Sequence, residues 1–267
     1  MLSRYSWLSA GMRDGVYQFL SRPNVVKLTD RALQRIYRNR IHNGGCVIDA
    51  NDQVVSPWVR SMIFWGFYES AELRLIKHYL PATLDVVELG GSLGVVSAHI
   101  GRRLEPGRQL ISVEANPALM HVLRANLTGN APHVRASTHN FAVCSGPDRP
   151  EFVEVGFGDS NLAAWIAHPG DGGGSCWVPS VTLSDLLAWH EIGSYALVSD
   201  IEGAEAGLFL SEQDALANCK LLIAELHQTK WHGRKLSVQD LVRIVIDDVG
   251  FVLKDRYRDV FVFQRQS

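Results

Sequence analysis

Short apolar runs alternate with amphipathic stretches over most of the chain. Runs rich in Val, Ile and Leu indicate strands buried on both faces of a sheet, and apolar positions three or four residues apart indicate covering helices. We predict strands at 86–89, 109–113, 133–137, 196–200, 221–225, 251–253 and 260–263. This alternation predicts an α/β fold with a doubly wound, mostly parallel seven-stranded sheet. The last two strands form a hairpin that adds an antiparallel strand at one edge.

Residues 1–80 follow a different pattern. The apolar run 46–49, a polar turn and the run 53–55 predict a small hairpin. Over 67–79, an apolar residue at every fourth position predicts a helix with one buried stripe. We therefore expect an N-terminal extension of helices and a hairpin, followed by one domain over residues 81–267.

Composition and charge narrow the classes of function. With 46% hydrophobic residues among 267, the chain can form a folded core. Its 26 Lys and Arg against 28 Asp and Glu give a net charge of −2, which argues against a nucleic-acid partner. Four scattered cysteines without a Cys-x-x-Cys pair predict neither a zinc site nor a disulfide framework. No uncharged apolar run reaches the ~18–20 residues of a membrane helix, so we expect a cytoplasmic protein without a membrane span.

A glycine-rich turn follows the first predicted strand of the sheet and contains Glu88, Gly90, Gly91, Ser92 and Gly94. The dinucleotide fingerprint needs Gly-x-Gly-x-x-Gly, and this turn departs from it, which counts against a nucleotide-dependent oxidoreductase. An acid, any residue, glycine, three residues and glycine is instead the pattern of S-adenosylmethionine (SAM) sites. There the acid offsets the cationic end of SAM and the helix start faces its carboxylate. A purely structural turn explains the glycines alone equally well.

The next two predicted strands end in polar residues that fit the same cofactor. Glu114, with Ala115 and Asn116 after it, ends the second strand, where a carboxylate can accept both ribose hydroxyls. The alternative is an acid that complements the dipole of the following helix. Asn140 and Phe141 follow the third strand, where folds of this kind hold adenine, although Phe141 also suits the core.

Acidic residues and a histidine follow the next two strands. Asp200, Glu202 and Glu205 come after the fourth strand, and Glu225 and His227 end the fifth. Close carboxylates raise one another's pKa when buried, so Asp200 and Glu202 are candidates for a general base. His227 is a candidate proton acceptor, which Glu225 can orient, although a lone histidine is often structural. Glu205 fits a simple helix N-terminal acid. This spacing matches no known metal-ligand set, so we expect no metal.

Three further segments resemble the FkbM family of SAM-dependent methyltransferases. Residues 181–186 (VTLSDL), 198–205 (VSDIEGAE) and 224–227 (AELH) are similar to the family's V-T-L-D-D-L, K-I-D-V-E-G-A-E and V-E-L-H motifs. The chain departs from the family at the glycine turn and at Val198, where the family has lysine. The resemblance implies a class I, Rossmann-like methyltransferase fold. It also implies transfer of a methyl group to a hydroxyl of a sugar, glycan or polyketide-like natural product.

Further expectations concern the rim of the site and the acceptor. Tyr68, Glu69 and Glu72, before the sheet, can cover the methionine end of SAM. The segments 158–161 and 169–175 form either a substrate lid or a surface insertion. The Asp/Asn-Pro-Pro-Tyr signature of base amino methylation is absent after the fourth strand, which favours an oxygen acceptor. The alternative function is a SAM-binding module that transfers no methyl group. No pattern in the sequence sets the oligomeric state.

Overall fold

A computed structural model of the chain describes residues 10–157, 164–166 and 174–265. The segment 158–161 and most of the glycine-rich segment, 169–173, lie outside the described residues. The helices are α1 Ala10–Leu20, α2 Pro23–Ala32, α3 Pro57–Trp65, α4 Ser70–Tyr79, α5 Val95–Arg103, α6 Met120–Asn130, α7 Leu183–Trp189, α8 Glu205–Ser211, α9 Gln213–Leu216 and α10 Val238–Arg243. Two π-helical segments, Leu33–Tyr37 and Ile244–Asp248, continue α2 and α10.

In the described part of the chain, the strands form one large sheet and three small ones. They are β1 Arg40–Asn43, β2 Cys46–Asp49, β3 Asp85–Leu89, β4 Gln109–Glu114, β5 Arg135–Asn140, β6 Ala142–Val143, β7 Phe152–Phe157, β8 Ala164–Ile166, β9 Gly174–Val181, β10 Tyr195–Ser199, β11 Cys219–Glu225, β12 Thr229–Trp231, β13 Arg234–Leu236, β14 Phe251–Tyr257 and β15 Val260–Arg265.

Within the described ranges, the central sheet has seven strands in the order β14-β15-β11-β10-β3-β4-β5. β11, β10, β3, β4 and β5 pair in parallel, and β15 is antiparallel to both of its neighbours. The doubly wound, mostly parallel sheet is therefore confirmed in outline. The antiparallel strand lies one position inside the edge, because β14 takes the edge position. The strand order reverses between β3 and β10, and such a switch point places a ligand crevice at the carboxyl ends of these strands.

The central strands are buried because both faces of the sheet are covered. Every residue of β10 is buried, as are four of the five residues of β3. One apolar cluster joins one face of the sheet to α7, α8 and α10, and a second joins the other face to α4 and α5. Capping boxes at Thr182 and Ser237 fix the starts of α7 and α10. The covered sheet thus presents its open surface at the strand ends.

The N-terminal hairpin differs from the prediction. β2 pairs with β1, and the run 53–55 belongs to a turn rather than to a strand. The sequence hid β1 because the strand reads RIHN, with one apolar residue in four. The hairpin and α3 share an apolar cluster with α5 and α6, so the extension packs against the sheet domain. The boundary between residues 80 and 81 stays a prediction.

A second sheet, which the sequence analysis did not predict, lies between β5 and α7. Its order in the described part of the chain is β6-β9-β7-β8, and Val153, Val155 and Val178 form its small apolar core. Among the described residues, no helix is long and apolar enough to cross a membrane.

Candidate active site

The glycine turn connects β3 to α5 and packs against the end of β10. Gly90 and Gly94 have φ angles of +90° and +76°, a region that favours glycine. A Cβ on Gly90 would lie 1.9 Å from the carbonyl oxygen of Asp200. The Asp200 N–H in turn donates to the carbonyl of Leu89 at 2.9 Å. The ends of β3 and β10 are therefore locked together, and the turn lies directly beside Asp200.

Glu114 joins the glycine turn to the end of β4. Its Oε2 accepts the N–H of Ser92 at 2.7 Å, and its Oε1 accepts the N–H of Asn116 at 2.6 Å. Burial raises the pKa of Glu114, and these hydrogen bonds oppose the shift. The hydroxyl of Tyr68 lies 3.2 Å from Ser92 Oγ. The predicted ribose-binding acid thus lies against the predicted cofactor turn.

Glu88 lies beneath the turn rather than on its surface. It is 1% exposed, and its Oε2 accepts the hydroxyls of Ser97 on α5 and Ser112 on β4. Burial raises its pKa to about 7 although both hydroxyls lower it. This carboxyl group braces β3, β4 and α5, and its direct contact with the cationic end of SAM stays a prediction. Gly91 lies in the same packing, because a Cβ there would be 2.3 Å from Ser112 Oγ.

Asn140 fixes the loop after β4, and Phe141 belongs to an aromatic group. The side-chain amide of Asn140 donates to the carbonyls of Glu114 and Ala115, each at 2.9 Å. The ring of Phe141 lies 5.7 Å from that of Trp189. Asn140, Ala115 and the turn are thus neighbours at one edge of the sheet. A contact of Asn140 or Phe141 with adenine stays a prediction.

The ends of β10 and β11 bring the predicted catalytic residues together. His227 Nε2 lies 3.9 Å from Asp200 Oδ1, 3.6 Å from Glu202 Oε2 and 3.8 Å from Glu225 Oε1. Glu202 has a φ of +48°, so the chain turns sharply immediately after Asp200. Burial, together with the charges of Glu69, Glu225 and Glu202, raises the pKa of Asp200 well above its ordinary value. We call Asp200, Glu202, Glu225 and His227 the edge cluster.

Glu205 holds the histidine of the edge cluster. Its side chain is fully buried at the start of α8, and its Oε1 is 2.8 Å from His227 Nδ1. Burial lowers the pKa of His227, but Glu205, Asp200 and Glu202 together raise it to about 9. The role of His227 as a proton acceptor stays a prediction. Glu205 is therefore the residue that orients the His227 ring. The sequence analysis interpreted Glu205 only as an acid at the N-terminus of a helix.

Two carboxyl groups from the N-terminal extension complete this edge. Carboxylate oxygens of Glu69, Glu72 and Asp200 all lie within 4.8 Å of one another. Glu72 is 4% exposed, and burial and the charge of Glu69 raise its pKa well above its ordinary value. Glu69 precedes α4 with a φ of +49°, and Glu72 lies in the first turn of that helix. The expected contact of Glu69 and Glu72 with the methionine end of SAM stays a prediction.

The site residues suit a cofactor with both hydroxyl and cationic groups. The Glu114 carboxylate can accept hydrogen bonds from hydroxyls, and the start of α5 offers backbone N–H groups to an anion. The carboxyl groups of the edge cluster and of Glu69 suit a cation. SAM carries ribose hydroxyls, a carboxylate, an ammonium and a sulfonium, so the donor and acceptor set fits this molecule.

Comparisons with known proteins give similarity at the level of solved structures. No family model matches the chain, and no curated protein matches it. The chain is similar to a putative RNA methyltransferase from Pyrococcus horikoshii, at 14% identity over 90% of this chain and 96% of that chain, with a TM-score of 0.42. It is also similar to magnesium protoporphyrin IX methyltransferase from Synechocystis with bound S-adenosylhomocysteine (SAH), at 9% identity, 95% and 100% coverage and a TM-score of 0.43. Membership of the FkbM family stays a prediction.

A third similar structure bears on the expected partners. It is a putative tRNA methyltransferase from Streptococcus pneumoniae, at 12% identity over 73% of this chain and 70% of that chain, with a TM-score of 0.40. The expectations of no nucleic-acid partner and of a glycan acceptor are not upheld, since the similar structures include proteins described as RNA and tRNA methyltransferases. The physical reason is that net charge averages over the whole surface, whereas nucleic acid is bound by local patches.

Proposed function

We propose that the chain is a SAM-dependent methyltransferase with a hydroxyl acceptor. The observation that carries the proposal is the contact between Glu114 and the N–H of Ser92, which joins the ends of β4 and β3 at 2.7 Å. This contact places a carboxylate that suits ribose hydroxyls next to the glycine turn, which leads into the N-terminus of α5. The edge cluster lies beside the same turn, since Asp200 packs on Gly90. A binding surface and candidate proton acceptors therefore share one edge.

The residues of the site have different roles in methyl transfer. When bound, SAM supplies an electrophilic methyl group on a cationic sulfur. Glu114 and the turn hold the nucleoside, and the carboxyl groups around Asp200 favour the cationic end. Alignment and removal of one proton are the remaining needs of such a transfer. Asp200 is the candidate acceptor for that proton, because it lies beside the turn and because burial and the neighbouring carboxylates raise its pKa well above its ordinary value.

The acceptor class is argued from the chain after β10. An oxygen acceptor is favoured because the sequence there is Asp200-Ile201-Glu202-Gly203, without the Asp/Asn-Pro-Pro-Tyr signature of base amino methylation. A hydroxyl loses its proton on methylation, which a carboxyl group at this edge can take.

Calorimetric titration tests the binding half of the proposal. We expect SAH to bind the wild-type protein and NAD⁺ to give no heat. Glu114→Ala should weaken SAH binding by about 1–3 kcal/mol, because the ribose hydroxyls lose a buried partner. Glu105→Gln, at an exposed site, is the matched control and should bind as the wild type does. An unchanged SAH affinity in Glu114→Ala, with a folded protein by circular dichroism, would contradict the assignment of the ribose site.

Methyl-labelled SAM tests the transfer half. The protein is incubated with labelled SAM and separate pools of phenolic, aliphatic-alcohol and RNA acceptors, and label is counted in the product. Label in any pool, lost in Asp200→Asn and kept in Glu105→Gln, supports the enzyme. SAH binding without label in any pool would favour the alternative, a SAM-binding module.

A further inference from the structure

We infer that Asp200, Glu202 and His227 form a binding site for one divalent metal ion. His227 Nε2, a carboxylate oxygen of Asp200 and one of Glu202 lie within 4.8 Å of one another. They come from the loop after β10 and from the end of β11, so the fold and not the sequence spacing brings them together. The expectation of no metal, which rested on that spacing, is replaced by this proposal.

The distances between the three atoms suit a shared ion better than direct contact. Nε2 is 3.9 Å from Asp200 Oδ1 and 3.6 Å from Glu202 Oε2, beyond the range of a hydrogen bond. Two ligands each about 2.1 Å from one ion stand about 3.6 Å apart at an angle of about 120°. One imidazole with two carboxylates is a donor set that suits Mn²⁺ and neighbouring divalent ions.

An unpartnered oxygen gives an independent reason to place an ion here. Asp200 Oδ1 is buried and has no hydrogen-bond partner among the described residues, and it faces His227 Nε2. A buried carboxylate oxygen without a partner is destabilising, so such atoms usually have one. A metal ion between Oδ1 and Nε2 would satisfy both atoms.

The far side of the imidazole has the partner that metal-bound histidines require. Nδ1 lies 2.8 Å from Oε1 of Glu205, which is fully buried. A carboxylate on the second ring nitrogen fixes the ring and makes the metal-facing nitrogen a stronger ligand. Glu205 is thus a positioning residue for His227. The carboxyl groups of Glu69 and Glu72 adjoin Asp200 and add negative charge that favours a cation.

Mn²⁺ binding, measured by electron paramagnetic resonance after EDTA treatment of the protein, tests the site. We expect one Mn²⁺ per chain, with at least tenfold weaker binding in Glu202→Gln and His227→Ala. Glu191→Gln is the matched control, because Glu191 is also an exposed carboxylate at positive φ, +52° against +48° for Glu202. Glu202→Gln keeps the test valid if the histidine variant fails to fold, since Glu202 lies at the surface.

The inference is overturned if Mn²⁺ does not bind at millimolar concentration. It is equally overturned if Glu202→Gln binds Mn²⁺ as tightly as Glu191→Gln does. Mn²⁺ binding at this site does not depend on the proposed methyltransferase function. SAH binding in the presence of EDTA separates the two. SAH bound without any Mn²⁺ site removes only this inference, whereas Mn²⁺ bound without SAH removes the methyltransferase.

Discussion

Glu88 and Glu114 end neighbouring strands, yet their carboxyl groups have different surroundings. Glu88 is 1% exposed and accepts two serine hydroxyls, and burial raises its pKa to about 7. Glu114 accepts two backbone N–H groups at the rim of the glycine turn. Sequence reasoning placed both acids at the cofactor because both end strands. The sequence did not show that the hydroxyls of Ser97 and Ser112 donate to the Glu88 carboxyl group.

The buried Glu88 should make the stability of the protein depend on pH. Its pKa is about 7 in the folded protein and 4.5 ordinarily. Below pH 4.5 the group is protonated in both states and carries no penalty. As pH rises from 4.5 to 7 the unfolded state loses the proton first, so the free energy of unfolding falls, by about 3 kcal/mol in all. Glu88→Gln should abolish this part of the decrease in the free energy of unfolding.

Urea unfolding of both proteins at pH 5 and pH 8 checks this prediction. The stability of Glu88→Gln relative to the wild type should increase between the two pH values. The exposed Glu105→Gln should change nothing. If the free energies of unfolding of Glu88→Gln and the wild type differ by the same amount at both pH values, the pKa of Glu88 is not raised and the prediction is wrong.

At the scale of elements, the site depends on how closely the β3–α5 turn packs against β10. A Cβ at Gly90 has no room beside the Asp200 carbonyl. Backbone hydrogen bonds hold the residues on either side of Gly90: the Leu89 carbonyl accepts from Asp200 N–H, and the Gly91 N–H donates to the carbonyl of Val113. The register of β3 against β10 pairs Leu89 with Ser199, so Gly90 and Asp200 leave their strands at the same level. This register brings the predicted cofactor turn to the edge cluster.

Gly90→Ala should be much more destabilising than Gly107→Ala. Both glycines have positive φ, +90° and +82°, so alanine at either position costs about 1–3 kcal/mol in strain. Only at Gly90 does the new Cβ meet backbone, 1.9 Å from Asp200 O, whereas Gly107 has nothing within 4 Å. The clash should add about 1–3 kcal/mol at Gly90. Chemical unfolding measures both variants, and equal losses of stability would mean that the turn does not pack as described.

The sequence predicted correctly those strands whose hydrophobic pattern depends only on their burial in the sheet. The runs at β3, β4, β10 and β11 are continuous and apolar because both faces of these strands are covered. β1 was missed because only one residue in four is apolar, and the β7–β9 sheet because polar residues and glycine interrupt its strands. The residues of the edge cluster were predicted at one edge of the sheet, but the distances between them were not. The pairing of Glu205 with His227 depends on how α8 packs beside β12 and the segment that leads into it, which residue spacing along the chain does not show.

At the scale of the whole molecule, charges of opposite sign lie in different places. Carboxyl groups gather at the carboxyl edge of the sheet, beside Asp200. A cavity of about 780 Å³ between α4, α5 and the β14–β15 turn is lined by cationic side chains, with Asp255 as an acid among its lining residues. The cations are Arg13, Arg74, Lys77, Arg102, Arg103 and Arg258. The net charge of −2 hides both regions, so composition could not decide the partner.

The position of SAH in a crystal of its complex with this protein tests the central claim most directly. We expect the ribose hydroxyls within about 3 Å of the Glu114 carboxylate, with the sulfur directed toward Asp200. Electron density for SAH at another place on the molecule, or a ribose that does not touch Glu114, would contradict the account.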